Sequence, residues 1–168
     1  QHPDQLQPAD YFYGDFQVFN DADGSFWTTS YEQGLQKWYW NNSNQPVKQL
    51  TLSLADGLSN PFVVAATFDK QHRLWVATLS GLVVIEKNSS GIYTVNRVDE
   101  EALFHINNWG EAKLTTDKEG AVWLASFHDL IRFHTNQIYF DNAVPGIAID
   151  DVQLNLKKTN WKSWTDSL

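Results

Sequence analysis

The sequence predicts an all-β protein built of short antiparallel strands. Aromatic residues make up 14% of the chain, with 8 Trp, 6 Tyr and 10 Phe, and this is typical of strand-rich proteins. Short runs of β-branched and aromatic residues alternate with turn residues, and no long helical pattern interrupts them. Trp27, Trp75 and Trp123 recur at intervals of 48 residues, which indicates a repeated structural unit.

Composition and charge exclude several classes of protein. The 168 residues suffice for one large domain or two very small ones, and a net charge of -8 argues against nucleic-acid binding. No stretch approaches the roughly 20 apolar residues of a membrane span. Without cysteine, neither a disulfide framework nor a thiolate zinc site can form, and we expect no cofactor. A chain that opens with Gln1 is expected to follow a cleaved secretory signal or to be an excised piece.

The residues around each repeated Trp also recur. An acidic residue precedes each Trp by six positions, a turn residue precedes it by three, and a hydroxyl residue follows it by three. In chain order these are Asp21, Gly24 and Ser30, then Asp69, His72 and Thr78, then Asp117, Gly120 and Ser126. The pattern predicts a tight turn that ends in a left-handed residue, which Gly adopts freely and His tolerates.

In the middle repeat, four strands are predicted over residues 62–69, 73–79, 81–87 and 92–98. The repeated Trp is expected to fill the space between neighbouring sheets, its indole N–H donating to a carbonyl group. The Ser or Thr three residues later is expected to bond the local backbone.

Four strands in a repeat of this length predict the blade of a β-propeller. The blades would span about 14–52, 62–98 and 111–141, within a segment 1–145. Residues 146–168 would form an exit strand and linker. Since propellers close with about 4–8 blades, three blades predict a partial ring or half of a dimeric ring. Exposed sheet edges would favour self-association, most simply as a homodimer.

The repeats resemble those of the two-component regulator propeller family. Residues 69–82, DKQHRLWVATLSGL, are similar to its D-x-x-G-x-[LI]-W-[IV]-[GA]-T repeat followed by G-L. Residues 56–60, DGLSN, are similar to its preceding loop. Residues 117–130 match with Asp129 where Gly is usual, and residues 21–35 match with one extra residue. Residues 145–154 resemble the family's exit toward an immunoglobulin-like sandwich.

The resemblance implies a periplasmic sensing module of a bacterial, often hybrid, sensor histidine kinase, or of a related cyclic-dinucleotide synthase. It also implies that the ligand is a small molecule, and carbohydrate fragments are the class expected. This chain would then carry no enzyme activity of its own, and its attachment to the membrane would lie in other parts of the receptor.

Ligand contacts are expected in the loops at one face of the propeller. The polar and aromatic candidates there are Tyr31, Glu32, Asn60, His105, Asn107, Asn108, Trp109 and His128. Aromatic faces beside amide donors suit a sugar. The alternative is structural, with Trp109 packing against the third repeat and the asparagines forming turns.

Two other functions remain open from the sequence. One is a scaffold or adhesion module whose acidic surface meets another protein. The other is a propeller glycosidase or lyase, for which the loop acids are Glu32, Asp56, Glu100 and Glu101. The spacing of the histidines and of Asp21 and Asp23 does not match known metal-site patterns.

Overall fold

The computed structural model describes residues 17–30, 32–98, 103, 105–138, 140, 153–154 and 157–158. These residues form an all-β protein with three antiparallel sheets of four, four and three strands. Helical structure in this part of the chain is confined to short 3-10 turns. The predicted all-β class is therefore confirmed.

Within each sheet the strands follow the order of the chain, each pairing with the next. The first sheet comprises β1 (Val18–Asn20), β2 (Phe26–Ser30), β3 (Gly34–Trp40) and β4 (Pro46–Leu52). The second comprises β5 (Val63–Phe68), β6 (Leu74–Thr78), β7 (Gly81–Lys87) and β8 (Tyr93–Arg97). The four strands predicted for the middle repeat are thus confirmed, with ends within one residue of the predicted ones.

The third sheet has three strands among the described residues, where four were predicted. It comprises β9 (Lys113–Thr116), β10 (Val122–Ala125) and β11 (Leu130–Phe133). The described residues after β11 tie the chain to the second sheet. Arg73 donates to the carbonyl of Thr135, and Phe140 forms an isolated bridge with Val98. A separate hairpin pairs β12 (Gln153–Leu154) with β13 (Lys157–Lys158), and the rest of the predicted exit segment lies outside the described residues.

The sheets stack face to face around two cores, and the described series is not closed. Side chains of β6 alternate between them, with Leu74 and Val76 facing the first sheet and Trp75 and Ala77 facing the third. All of β6 is buried, because sheets cover it on both sides.

The repeated Trp fills these cores in the first two repeats, as predicted. Trp27 and Trp75 are fully buried, and Trp27 meets Tyr93 of the second sheet edge to face, with ring centroids 5.6 Å apart. Trp75 lies 5.3 Å from the Phe133 ring of the third sheet. Trp123 is only half-buried, and no sheet among the described residues packs over it.

Each indole N–H donates to the carboxylate six residues before it. The prediction that a carbonyl group would accept this hydrogen bond is therefore wrong. The Nε1–Oδ2 distances are 2.9 Å for Trp27–Asp21, 2.9 Å for Trp75–Asp69 and 2.7 Å for Trp123–Asp117. A carboxylate is the stronger acceptor because its hydrogen bonds are charge-assisted. The predicted turns place it there, since Gly24, His72 and Gly120 all adopt positive φ.

A cation pairs with each of these Asp residues, although the position of the cation in the repeat changes. Arg73 Nε lies 2.7 Å from Asp69 Oδ2, and Arg132 Nη2 lies 3.4 Å from Asp117 Oδ2. In the first repeat the buried Lys37 Nζ lies 2.7 Å from both Asp21 Oδ2 and Asp23 Oδ2. Burial alone would raise the pKa values of Asp21 and Asp23. Hydrogen bonds outweigh burial and lower both pKa values, because Lys37 donates to both carboxylates, Trp27 also donates to Asp21 and Ser25 also donates to Asp23. These bonds fasten the first turn of each sheet to the strands behind it.

Replacing the buried Asp69 with Ala should destabilise the protein by about 3 kcal/mol, since the indole N–H and the Arg73 guanidinium lose a charged acceptor. Urea unfolding followed by circular dichroism measures this loss. Asp117→Ala is the matched control, because Trp123 and Arg132 are partly solvated there and should lose less. Equal losses in the two variants would contradict this assignment.

The carboxyl of Asp117 should titrate with a pKa of about 2, below its ordinary 3.8, chiefly because Trp123 donates to it. Since folding lowers this pKa, the ionised group stabilises the fold above pH 4, and that contribution disappears as the pH falls toward 2. Trp123→Phe should move the pKa toward 3.8 in a carboxyl NMR titration, whereas Phe127→Leu should not. An unchanged pKa in Trp123→Phe would show that other groups hold the carboxylate.

Candidate functional site

Most of the predicted ligand-contact residues lie in loops at one end of the three sheets, called here the loop end. It comprises the described residues of the turns 30–34, 78–81 and 126–129 and of the connections 53–62 and 99–112. The first turn touches its neighbouring connection, because the N–H of Gly34 donates to the carbonyl of Pro61 at 3.0 Å. Asn60 reaches the second turn, its Nδ2 lying 2.8 Å from Ser80 Oγ.

The connection 53–62 is held by its own side chains. Ser53 and Asp56 form a capping box on a 3-10 turn, with Asp56 Oδ2 accepting from the Ser53 N–H at 2.8 Å and from its hydroxyl at 3.0 Å. Asn60 Oδ1 accepts the N–H of Phe62 at 2.9 Å. Asp56 and Asn60 therefore hold the loop in its conformation. For Asn60 this agrees with the structural alternative, in which the asparagines form turns.

The connection before the third sheet is anchored by apolar side chains. Leu103 and Ile106 are buried in the core between the second and third sheets, and Trp109 packs partly buried against the same core. Asn108 Oδ1 caps the following 3-10 turn by accepting the N–H of Gly110 at 3.1 Å. For Trp109 this agrees with the structural alternative, in which its ring packs against the third repeat. The polar residues on either side of Ile106 remain exposed.

Four of the predicted ligand-contact residues line one cleft at the loop end. The cleft has a volume of about 510 Å³ and lies between the connection 99–112 and the turn that joins β10 to β11. Its lining consists of His105, Asn107, Asn108, Ser126, Phe127, His128 and Asp129. Residues that are widely separated in the sequence thus share one concave surface.

A rigid turn presents the aromatic side of this cleft. The Ser126 N–H donates to the carbonyl of Asp129 at 2.9 Å, and the Ser126 hydroxyl donates to Asp129 Oδ2 at 2.9 Å. The N–H of Asp129 also donates to Ser126 Oγ, as the N–H groups of Gln33 and Ser80 donate to Ser30 Oγ and Thr78 Oγ1. The local backbone role predicted for the hydroxyl residue of each repeat is therefore confirmed. Phe127 projects from the turn with 75% of its surface exposed, its ring 4.6 Å from that of His128 at an interplanar angle of 90°.

Polar groups around the cleft are available to a ligand. Within the described part of the chain, the side chains of His105, Asn107 and His128 make no hydrogen bond. Asn108 uses its Oδ1 for the cap, which leaves its amide Nδ2 to donate. An exposed aromatic ring beside imidazole and amide groups can stack on an apolar face while bonding hydroxyls.

The remaining candidates do not belong to this cleft. Glu32 and Asn60 are not part of its lining, and Tyr31, Glu100 and Glu101 lie outside the described residues. Sequence reasoning missed Phe127, although it included the adjacent His128 among the ligand-contact candidates. The available signal was an aromatic residue in the turn 126–129, since the equivalent turn of the second repeat carries Leu79-Ser80 instead.

Comparison with known proteins supplies no family. A scan against protein-family models finds no match for the chain, and a search of curated proteins finds none either. Among the described residues, no three His, Cys, Asp or Glu side chains are grouped so as to hold a metal ion. No helix in that part of the chain has the length and apolar character to cross a membrane.

Proposed function

We propose that this chain is the extracytoplasmic, periplasmic input module of a bacterial two-component receptor, and that it binds a small molecule. The observation that carries the binding proposal is the loop-end cleft, which gathers His105, Asn107, Asn108 and His128 beside an exposed Phe127. The receptor assignment rests on the resemblance of the three repeats to the two-component regulator propeller family.

The three sheets support the propeller part of the proposal. Consecutive strands pair antiparallel within each sheet, the sheets stack in chain order, and β5 packs near both β2 and β9. Equivalent Trp residues enter equivalent cores 48 residues apart. On this proposal the sheets are blades of a larger ring, completed by further blades or by a second copy of the chain.

The chemistry of the cleft favours a carbohydrate ligand. Phe127 offers a flat apolar face for sugar C–H groups, while the neighbouring amides and imidazoles reach hydroxyls. On this proposal the chain acts as a receptor module, and a separate output domain, a histidine kinase or cyclic-dinucleotide synthase, carries the enzyme activity. Signalling then requires that the ligand bind one receptor state better than the other.

Titration of the isotope-labelled chain with a panel of oligosaccharides should shift the backbone amide signals of residues 105–108 and 126–129. Phe127→Ala should weaken the binding roughly tenfold, because it removes the stacking surface. His128→Ala should weaken it as well by removing a hydrogen-bonding group. The matched control is His134→Ala, an exposed histidine beyond the other end of β11.

Two results would contradict the carbohydrate proposal. One is the absence of amide shifts in the cleft with every saccharide tested. The other is binding that survives Phe127→Ala and His128→Ala unchanged, which would place the ligand elsewhere on the chain.

A scaffold or adhesion module is the second candidate, supported by exposed apolar side chains at the loop end. Leu54, Phe127 and Leu130 expose 56%, 75% and 67% of their surfaces. Exposed apolar groups of this size favour a protein partner where they form a continuous patch. Capture of a defined protein partner that depends on Phe127 and Leu130, without any response to small molecules, would favour this candidate.

The chain should self-associate through the open face of its third sheet. Trp123, Ala125 and Leu130 share that face, since their neighbours Val122 and Leu124 point into the core shared with the second sheet. Leu130→Glu should therefore lower the molar mass measured by light scattering from dimer toward monomer. Ile92→Glu, at an exposed turn of the second sheet, should leave the mass unchanged. A compact monomer at high concentration for the unmodified chain would contradict the prediction.

A further inference from the structure

The interface between the first and second sheets differs from the interface between the second and third sheets. The difference lies at the end of the sheets opposite the loop end, called here the turn end. The turn end carries the equivalent turns 21–24, 69–72 and 117–120. Because these turns share one backbone geometry, differences between the interfaces arise from their side chains.

Between the second and third sheets the turn end is closed by side chains. The alkyl chain of Lys70 lies across Gly120, where a Cβ atom would come within 2.5 Å of Lys70 Cδ, and Lys70 Nζ bonds the carbonyl of Lys118. Gln71 bonds Asn136, and Arg73 bonds the carbonyl of Thr135. These contacts fill the space between the two turns.

Between the first and second sheets the corresponding positions leave a cavity of about 760 Å³. Ala22 stands where Lys70 stands in the next repeat, so no long side chain spans the gap. His72 stands where Gly120 stands, in the left-handed conformation at φ 58°, and lines the cavity.

The cavity has an apolar floor and an acidic rim. Trp27, Phe68, Leu74 and Ile85 contribute the floor. Asp23 and Glu86 stand at the rim on opposite sheets, with 49% and 42% of their side chains exposed, so the cavity opens to solvent between them.

The charges of the lining leave an excess of carboxylate. Lys37 is shared by Asp21 and Asp23 and reaches Tyr93 Oη at 3.2 Å, so it neutralises one of two negative charges. Lys87 lies over the Tyr93 ring, 5.5 Å from its centroid. Arg73 is held by the buried Asp69, which leaves Glu86 with a 3.9 Å contact to Arg73 and one weak amide hydrogen bond.

We propose that this cavity binds a small organic cation that joins an apolar ring or chain to an amine. The apolar part lies on the floor between the sheets, where it is removed from water. The ammonium group meets Glu86 and Asp23 at the rim, in place of the Lys70 ammonium group that closes the neighbouring interface. The site is separate from the loop-end cleft and does not rest on the function proposed for it.

The proposal is tested by adding 2-phenylethylamine to the full chain and following the NMR shifts of the backbone amides. The comparison ligand is 2-phenylethanol, which keeps the ring and replaces the amine with a hydroxyl. The amine should shift signals of residues 21–24, 71–73 and 86–88 and leave residues 126–129 unmoved. The alcohol should bind roughly tenfold more weakly, because it makes no ion pair. Equal binding by the two probes, or no shift with the amine, would overturn the proposal.

Two variants locate the site. Ala22→Lys copies the closed interface and should abolish the shifts by filling the cavity, while Glu86→Gln keeps the shape of the rim and should weaken amine binding roughly tenfold. Glu119→Gln, in the equivalent turn of the third sheet and outside the cavity lining, is the matched control and should bind the amine like the unmodified chain. Binding that survives both Ala22→Lys and Glu86→Gln would overturn the proposal.

Discussion

The hydrogen bond from each repeated indole to the carboxylate six residues earlier is the interaction on which the architecture depends. It ties the first turn of a sheet to the side chain that fills the core against the next sheet, so local turn geometry and packing between sheets are fixed together. The same carboxylates accept backbone N–H groups in their own turns, as Asp69 does from Arg73 and Asp117 from Ala121. One short side chain thereby satisfies groups that would otherwise be buried without partners.

This constraint leaves the two ends of the sheets with different freedom. At the turn end every first hairpin must keep an Asp and a left-handed residue, so variation is confined to neighbouring positions such as Ala22 and Lys70. At the loop end the turns need only a hydroxyl residue to close them, so other positions in the turns and connections are free to carry residues such as Phe127 and His105. The proposed binding functions lie where the shared framework permits such substitutions.

Particular residues show how far the sequence could predict the site. His105, Asn107, Asn108 and His128 line one cleft, and the repeat had placed their loops at one end of the sheets. Their contact with a ligand stays a prediction. The sequence could not separate Trp109, which packs on the core, from Phe127, which is exposed, since both are aromatic residues in loops. Only the path of the anchored connection decides which ring meets solvent.

By itself the sequence determined the all-β class, the period of 48 residues, the strands of the middle repeat and the left-handed turns, because these follow from local patterns that recur. Tertiary structure alone decided how the chain leaves β11 and which interface between sheets stays open. Those outcomes depend on side chains from different repeats, such as Lys70 over Gly120 and Lys37 beside Tyr93. Contacts of this kind are set by the stacking of whole sheets, which no single stretch of sequence encodes.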